Sequence, residues 1–205
     1  RYIFDLECGR AGAATYNTSG SHFVGPVIIH YGTQAQKDRY LPRIRSGEDY
    51  WAQGYSEPGS GSDLASLKTR AVADGDHYVV NGQKIWTTNA HRANRMFALV
   101  RTATTGKRQD GITFVLFDMD TPGITVRPIM GNGGDHEFNE VFFNDARVPM
   151  ANRIGEENKG WEVAKFLLEF ERGGRVLAGQ VRAQFAKLVQ LLSLIHISEP
   201  TRPLY

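Results

Sequence analysis

The residues best suited to chemistry form one run, Gln53-Gly54-Tyr55-Ser56-Glu57-Pro58-Gly59-Ser60-Gly61-Ser62-Asp63. Its glycines let the backbone approach a ligand closely, and its hydroxyls and amides can hydrogen-bond a flat polar molecule or a phosphate. No Gly-Lys-Ser/Thr follows the glycines, so the run is not a Walker A loop, and it lacks the Gly-x-Gly-x-x-Gly spacing of a Rossmann fingerprint. Its composition fits a cofactor loop and a structural turn alike. A second run, Gln83-Lys84-Ile85-Trp86-Thr87-Thr88, places on a strand an indole that can face a conjugated ring, with hydroxyls that can donate to a ring nitrogen. Trp86 fits a core or interface position equally well. A metal hydrolase has little to build on. His77, His91, His136 and His196 are dispersed with no His-Glu-x-x-His arrangement, and Cys8 is the only cysteine, which excludes an intrachain disulfide and a multi-cysteine metal site.

Three regions must position these runs. Residues 1–50 read as helix and loop: Thr33 with Gln36 forms a capping-box signature, Pro42 marks the expected end of that helix, and Gly25-Pro26 precedes a helical stretch from Val27 to Tyr31. His22 and His30 read as helix-surface or packing residues. Strand period follows Tyr50. Thr69 to Val80 contains an Asp74-Gly75 turn, and Tyr78-Val79-Val80 leads into Asn81-Gly82, a strong hairpin signal. Further strands are expected at Met96–Arg101, Ile112–Phe117, Ile124–Arg127 and Glu140–Phe143. No helices intervene, which predicts an antiparallel barrel or sandwich. The Gly-, Asp- and His-rich connector Met130–Asn139 reads as an active-site rim or a mobile turn.

Helical spacing returns after Gly160, with Val163, Leu167 and Phe170, then Leu177, Val181, Phe185, Leu188 and Leu192, on one apolar stripe. Gly173-Gly174 predicts a bend or a close approach within it. A lone helix cannot bury such a stripe, so further helices or a partner chain are expected. From about Ser193 the run SLIHISEPTRPLY departs from the helical pattern and resembles a translated sequencing adapter, and the chain opens without Met. The expected organisation is therefore α+β, read as truncated at both ends: 1–50 the end of a helical domain, 51–152 a middle β domain, 153–192 the start of a second helical domain, and 193–205 a non-native or disordered tail.

Bulk composition narrows the class. The 205 residues are 41% hydrophobic, enough for a real core. The 24 Lys and Arg against 22 Asp and Glu are scattered, which argues against a nucleic-acid-binding stripe. No apolar run approaches the ~20 residues of a membrane span, and the N-terminal residues carry no signal-like pattern. The expected location is the bacterial cytoplasm, or an organelle matrix in a eukaryote.

YSEPGSGSD at Tyr55–Asp63 and NGQKIWTTNA at Asn81–Ala90, in that order, resemble the two flavin-contacting signatures of acyl-CoA dehydrogenases. The likeness runs from about Arg10 to Leu191 and takes in MDTPGI at Met119–Ile124, DARVP at Asp145–Pro149 and GEENKGW at Gly155–Trp161. HEFNEVFF at His136–Phe143 resembles members that act on dicarboxylic, branched or cyclic acyl-CoAs in bacteria, the pimeloyl-CoA dehydrogenase large-subunit-like group, which often work as one subunit of an unequal pair. The resemblance implies an acyl-CoA dehydrogenase fold, FAD as cofactor, an acyl-CoA substrate converted to the trans-2-enoyl-CoA, an electron-transfer flavoprotein as acceptor, and a homo- or hetero-oligomer.

It also implies residue roles. Tyr55 and Ser56 match contacts to the pyrimidine end of the flavin, and Gln53 lines the same loop. Trp86 matches the aromatic residue against the isoalloxazine, with Thr87 beside it and Thr88 near the flavin N5. Ser62 matches a serine near the cofactor or the acyl-CoA path. Some members supply the carboxylate base from a C-terminal helical position that this sequence does not reach, whereas others carry it just before an arginine on the first long helix after the β domain, where Glu171-Arg172 stands here, so Glu171 is the expected base and Arg172 an organising residue. Glu169 is the alternative, but two residues apart on a helix point roughly 200° apart, so only one of the two faces the site. An acyl-CoA oxidase, a flavin monooxygenase of the same architecture and a non-catalytic partner subunit or inactive fragment are the rival readings.

Overall fold

The computed structural model describes residues 2–13, 19–174 and 178–198. The chain divides into two units. In the first, residues 1–15 with 174–205, helix α1 (Tyr2–Ala11) packs on the long helix later in the chain, α5 (Ala178–Ser198). Contrary to the sequence reading, α5 runs through Ser198. Leu191, Leu192 and Leu194 are strong helix formers, and residues 199–205 of the expected tail lie outside the described residues.

The second unit, residues 16–173, carries a short π-helix (Ser19–Val24) ahead of α2 (Gly25–Tyr31) and α3 (Gln34–Ser46). The capping box at Thr33 forms in full. Thr33 Oγ1 accepts from the Gln36 amide at 3.3 Å, and Gln36 Oε1 accepts from the Thr33 amide at 2.9 Å. Pro42 does not end this helix. Capping at its start and burial of Tyr40 carry it past the proline, and Gly47, at φ +82°, closes it.

Eight strands follow: β1 (Trp51–Gly54), β2 (Arg70–Asp74), β3 (His77–Lys84), β4 (Arg95–Arg101), β5 (Ile112–Asp118), β6 (Ile124–Met130), β7 (His136–Pro149) and β8 (Arg153–Ile154). They form one sheet in the order β6-β7-β3-β2-β4-β5-β8, with β1 beside β4. The sheet is mixed rather than wholly antiparallel. After β1 the chain leaves through the β2–β3 hairpin and returns as β4 running alongside β1 in the same direction, with Gln53 opposite Phe97. A parallel pair needs such a long crossover, and here a hairpin and loops supply it instead of a helix. The connector before β7 is also shorter than the sequence suggests, because His136–Asn139 already pair with β6.

Period-2 alternation divides β4 and β5 between two cores. Phe97, Leu99, Phe114 and Leu116 pack with the helices, whereas Met96, Ala98, Val100, Val115 and Phe117 pack on the opposite face. Both faces are covered, which is why these strands read as unbroken apolar runs.

The Asn81-Gly82 pair is not a turn. It lies inside β3 at a bulge, and the hairpin reverses instead at Asp74-Gly75, where Gly75 has φ +62°. Gly82 has φ +148°, and a Cβ there would meet Thr69 Cα at 2.7 Å. Asn81 exchanges two hydrogen bonds with Asp145, its Nδ2 donating at 2.9 Å and its Oδ1 accepting from the Asp145 amide at 3.0 Å. The asparagine and glycine therefore serve a bulge and a close approach.

Helix α4 (Gly160–Gly174) completes the unit, burying Val163, Ala164 and Leu167 against the helix-side core. It begins where Gly160 meets the β5 backbone. A Cβ there would lie 2.5 Å from the Phe114 nitrogen, so only glycine lets the helix start so close to the sheet. The helix is described as far as Gly174, and the continuation past the paired glycines, at residues 175–177, lies outside the described residues. Among the described residues no helix is long and apolar enough to cross a membrane.

Candidate active site

Alternation along β1 turns Trp51, Gln53 and Tyr55 toward the helical layer, while Gly54 faces the other core, where a Cβ would lie 2.8 Å from Met96 Sδ. Helical period does the matching work on α4. Glu171 stands one turn beyond buried Leu167 and so continues the face that meets the sheet. The two faces touch. Gln53 Nε2 donates to Glu171 Oε2 at 3.3 Å, across 118 residues of chain. Glu169, the sequence-based alternative, is exposed on a different face. The side chain of Arg172 lies outside the described residues.

Tyr55 is buried beside this pair, its ring edge-on to Phe97 with centroids 6.0 Å apart. Its hydroxyl has no hydrogen-bond partner among the described residues. Burial first, then the negative charge of Glu171, hold the phenol well above its usual pKa, so Tyr55 is neutral and keeps its proton.

The two ligand-like runs are bonded to each other through residues that sequence reasoning passed over. Glu57 and Ser60 exchange backbone hydrogen bonds around Pro58-Gly59, closing the first run into a tight turn. From the second run, fully buried Lys84 donates to Glu57 Oε1 at 2.8 Å and to the Tyr55 carbonyl at 3.3 Å. The Glu57 carboxylate also accepts from the Thr69 amide at 3.0 Å and the Lys68 amide at 2.6 Å. Burial alone would push the Glu57 carboxyl up, but the charge of Lys84 and these hydrogen bonds outweigh it and hold the group below the ordinary carboxylate value. Burial draws the Lys84 ammonium down against the opposing pull of Glu57. Finally, the Ile85 amide donates to the Ser56 carbonyl at 2.9 Å, which places half-buried Ser56 and the residue before Trp86 side by side. One signal for the ion pair was available: a lone acid and a lone base, each set among residues that read as buried or turn-forming.

Trp86 does not lie on a strand. It sits just past β3 at φ +58°, 58% exposed, with its ring edge-on to Phe138 at 6.0 Å. Thr87 is buried, its amide donates to the Asn139 carbonyl at 3.0 Å, and its hydroxyl has no partner among the described residues. Thr88 is exposed at the following turn. The fold thus joins Gln53, Tyr55, Ser56, Trp86, Thr87 and Glu171 into one bonded neighbourhood, whereas Ser62 stands on an exposed bend beyond Ser60, outside that network.

Two family models match this chain: the acyl-CoA dehydrogenase N-terminal domain over residues 2–48 and the acyl-CoA dehydrogenase middle domain over residues 52–146. The chain belongs to the acyl-CoA dehydrogenase family. Acyl-CoA dehydrogenase IpdE1 of Mycobacterium tuberculosis is 45% identical over 194 residues, covering 93% of this chain and 50% of that protein. Among solved structures, the Tcur3481-Tcur3483 steroid ACAD aligns with a TM-score of 0.85 at 35% identity, over 96% of this chain and 50% of that one. The ChsE4-ChsE5 complex from Mycobacterium tuberculosis aligns with a TM-score of 0.75 at 41% identity, over 82% of this chain and 43% of that one. The chain spans about half the length of the curated relatives it matches. The family is enzymatic, and FAD is the cofactor expected of its members.

Proposed function

We propose that this chain supplies one wall of a flavin and thioester site, and that the protein catalyses α,β-dehydrogenation of an acyl-CoA to its trans-2-enoyl-CoA. The observation that carries the reading is the Gln53–Glu171 contact, which pairs a carboxylate with the Gln53 side chain near the end of β1, close enough for its charge to act on the Tyr55 phenol. The residues fit FAD. The exposed Trp86 indole offers a flat surface for a conjugated ring, and the buried Thr87 hydroxyl, without a partner among the described residues, offers a polar atom beside it. FAD, when bound, supplies the acceptor for the hydride leaving the substrate β-carbon.

The protein's own part is alignment and proton removal. Glu171 takes the α-proton, and Gln53, by donating to one carboxylate oxygen, leaves the other free to face the substrate. Buried Tyr55 remains neutral and helps keep water from the carboxylate. Ser56, Trp86, Thr87 and Thr88 hold the flavin edge and face, and Ser62 lies on the path of the CoA moiety. Arg172 follows the base and organises the site. Electrons leave through an electron-transfer flavoprotein. Association with like or unlike subunits is supported by the exposed Val181, Phe185, Leu188 and Leu192 on α5 and by the complexed relatives. The proposed place of action is the bacterial cytoplasm.

Replacement of Glu171 by Gln tests this directly. Flavin absorbance should persist while anaerobic bleaching by acyl-CoA slows by a factor of at least ~10². Unimpaired bleaching would remove Glu171 from the mechanism.

A further inference from the structure

Beneath the Trp86–Thr88 loop lies an asparagine with no freedom left in its side chain. Asn139, on β7, is fully buried, and its Nδ2 lies 2.9 Å from the Thr87 carbonyl and 3.3 Å from the Glu137 carbonyl. Carbonyls only accept, so the amide must present its NH₂ edge to them. That orientation settles its neighbours. Asn139 Oδ1 can only accept from His136 Nε2, 2.8 Å away, and the two Nδ2 protons, shared between the two carbonyls and His91, require a bare His91 Nδ1, 3.2 Å away, as the third acceptor. The two imidazoles stack with centroids 3.8 Å apart and 22° between their planes. Main-chain bonds complete the attachment: the Thr87 amide donates to the Asn139 carbonyl at 3.0 Å, and the Asn89 amide to the Glu137 carbonyl at 2.7 Å.

We propose that Asn139, clamped between His91 and His136, is the positioning residue that fixes the Trp86–Thr88 loop against the flavin. This rests on the reading above that the loop contacts the cofactor. The loop needs such a clamp because Trp86 at φ +58° and Asn89 at φ +55° both occupy left-handed backbone, and unrestrained residues would relax out of it. Loss of the Asn139 amide would leave the buried Thr87 carbonyl without its donor and both histidines without their bridge.

The clamp is sensitive to protons. A proton on His91 Nδ1 would set donor against donor at Asn139 and put a charge beside the stacked ring of His136. The charged or titratable groups acting on His91 are His136 across the stack and Arg92 beside it, whereas the surrounding wall residues Ala93, Met119, Val126 and Pro128 are apolar. Desolvation foremost, then the charges of His136 and Arg92, hold the surface-exposed His91 below its ordinary value of 6.5. A depressed histidine favours the folded clamp above pH 6.5, and that contribution declines as the pH falls from there toward the folded value.

The test is FAD affinity of the full chain, read by quenching of flavin fluorescence at about pH 7.5 and about pH 5.5. The unaltered chain should bind FAD more weakly at the lower pH. Asn139→Ala should weaken binding about tenfold or more at the higher pH, with its circular dichroism unchanged. His91→Gln, which keeps a neutral acceptor near Asn139, should bind normally at the higher pH and lose most of the pH response. Should Asn139→Ala fail to fold, the His91→Gln comparison decides alone. Unchanged affinity in a folded Asn139→Ala, or an undiminished pH response in His91→Gln, would overturn the proposal while leaving the flavin reading intact. Absence of FAD binding by the unaltered chain at both pH values would overturn both.

Discussion

Trp86 occupies left-handed backbone that a bulky L-residue adopts only at a cost of about 1–2 kcal/mol. Bonds on either side hold it there, from the Ile85 amide to Ser56 and from the Thr87 amide to Asn139, and the result is an indole presented outward. Stability and binding therefore pull apart at this position. Replacing Trp86 by Gly should leave the melting temperature equal or higher, since glycine adopts φ +58° freely, yet weaken FAD binding by roughly threefold to tenfold for the lost ring surface. A marked fall in melting temperature would mean that the indole serves packing instead. Residue type left both runs open between ligand contact and structure, and the resemblance to the family signatures nominated Gln53, Tyr55, Ser56, Trp86 and Thr87 as candidates. Residue type could not nominate Asn139, whose importance comes from what surrounds it, nor choose Glu171 over Glu169 without the helix phase that sets one of them facing β1.

The two ligand-like runs act as one element because Glu57 and Lys84 tie them together in the interior. A buried pair of this kind punishes half-removal. Lys84→Met alone should cost about 3–5 kcal/mol, because it strands a buried carboxylate, and Glu57→Gln combined with Lys84→Met should recover part of the loss in urea denaturation. The pH dependence follows from the depressed Glu57 carboxyl: its contribution is complete above its ordinary value of 4.5 and is lost as the pH falls through the lower folded value. The urea midpoint of the unaltered chain should decline on acidification across that window, and less steeply in the double variant. Strand periods and the Thr33 capping box were legible because they depend on neighbours in sequence. The Asn81-Gly82 pair misled for the opposite reason: Thr69 and Asp145 decide its conformation, and neither is local. The parallel pairing of β1 with β4 was hidden in the same way, since the crossover between them contains a hairpin and two short 3-10 turns but no α-helix.

Across the molecule, the family and the α+β architecture follow from sequence runs that keep their order, whereas the site depends on segments brought from residues 53–56, 84–89, 139 and 171. The chain spans about half the length of its curated relatives, and these segments build one wall of the proposed site. In the proposed function, the Ser56 loop and the Trp86 loop grip a single flat ring. Amide hydrogen exchange of the chain with and without FAD, read peptide by peptide by mass spectrometry, tests that claim most directly. The account predicts slower exchange in residues 55–63 and in residues 85–89 together, at the same FAD concentration. Protection of only one of these segments, or of neither while FAD is bound, would contradict it.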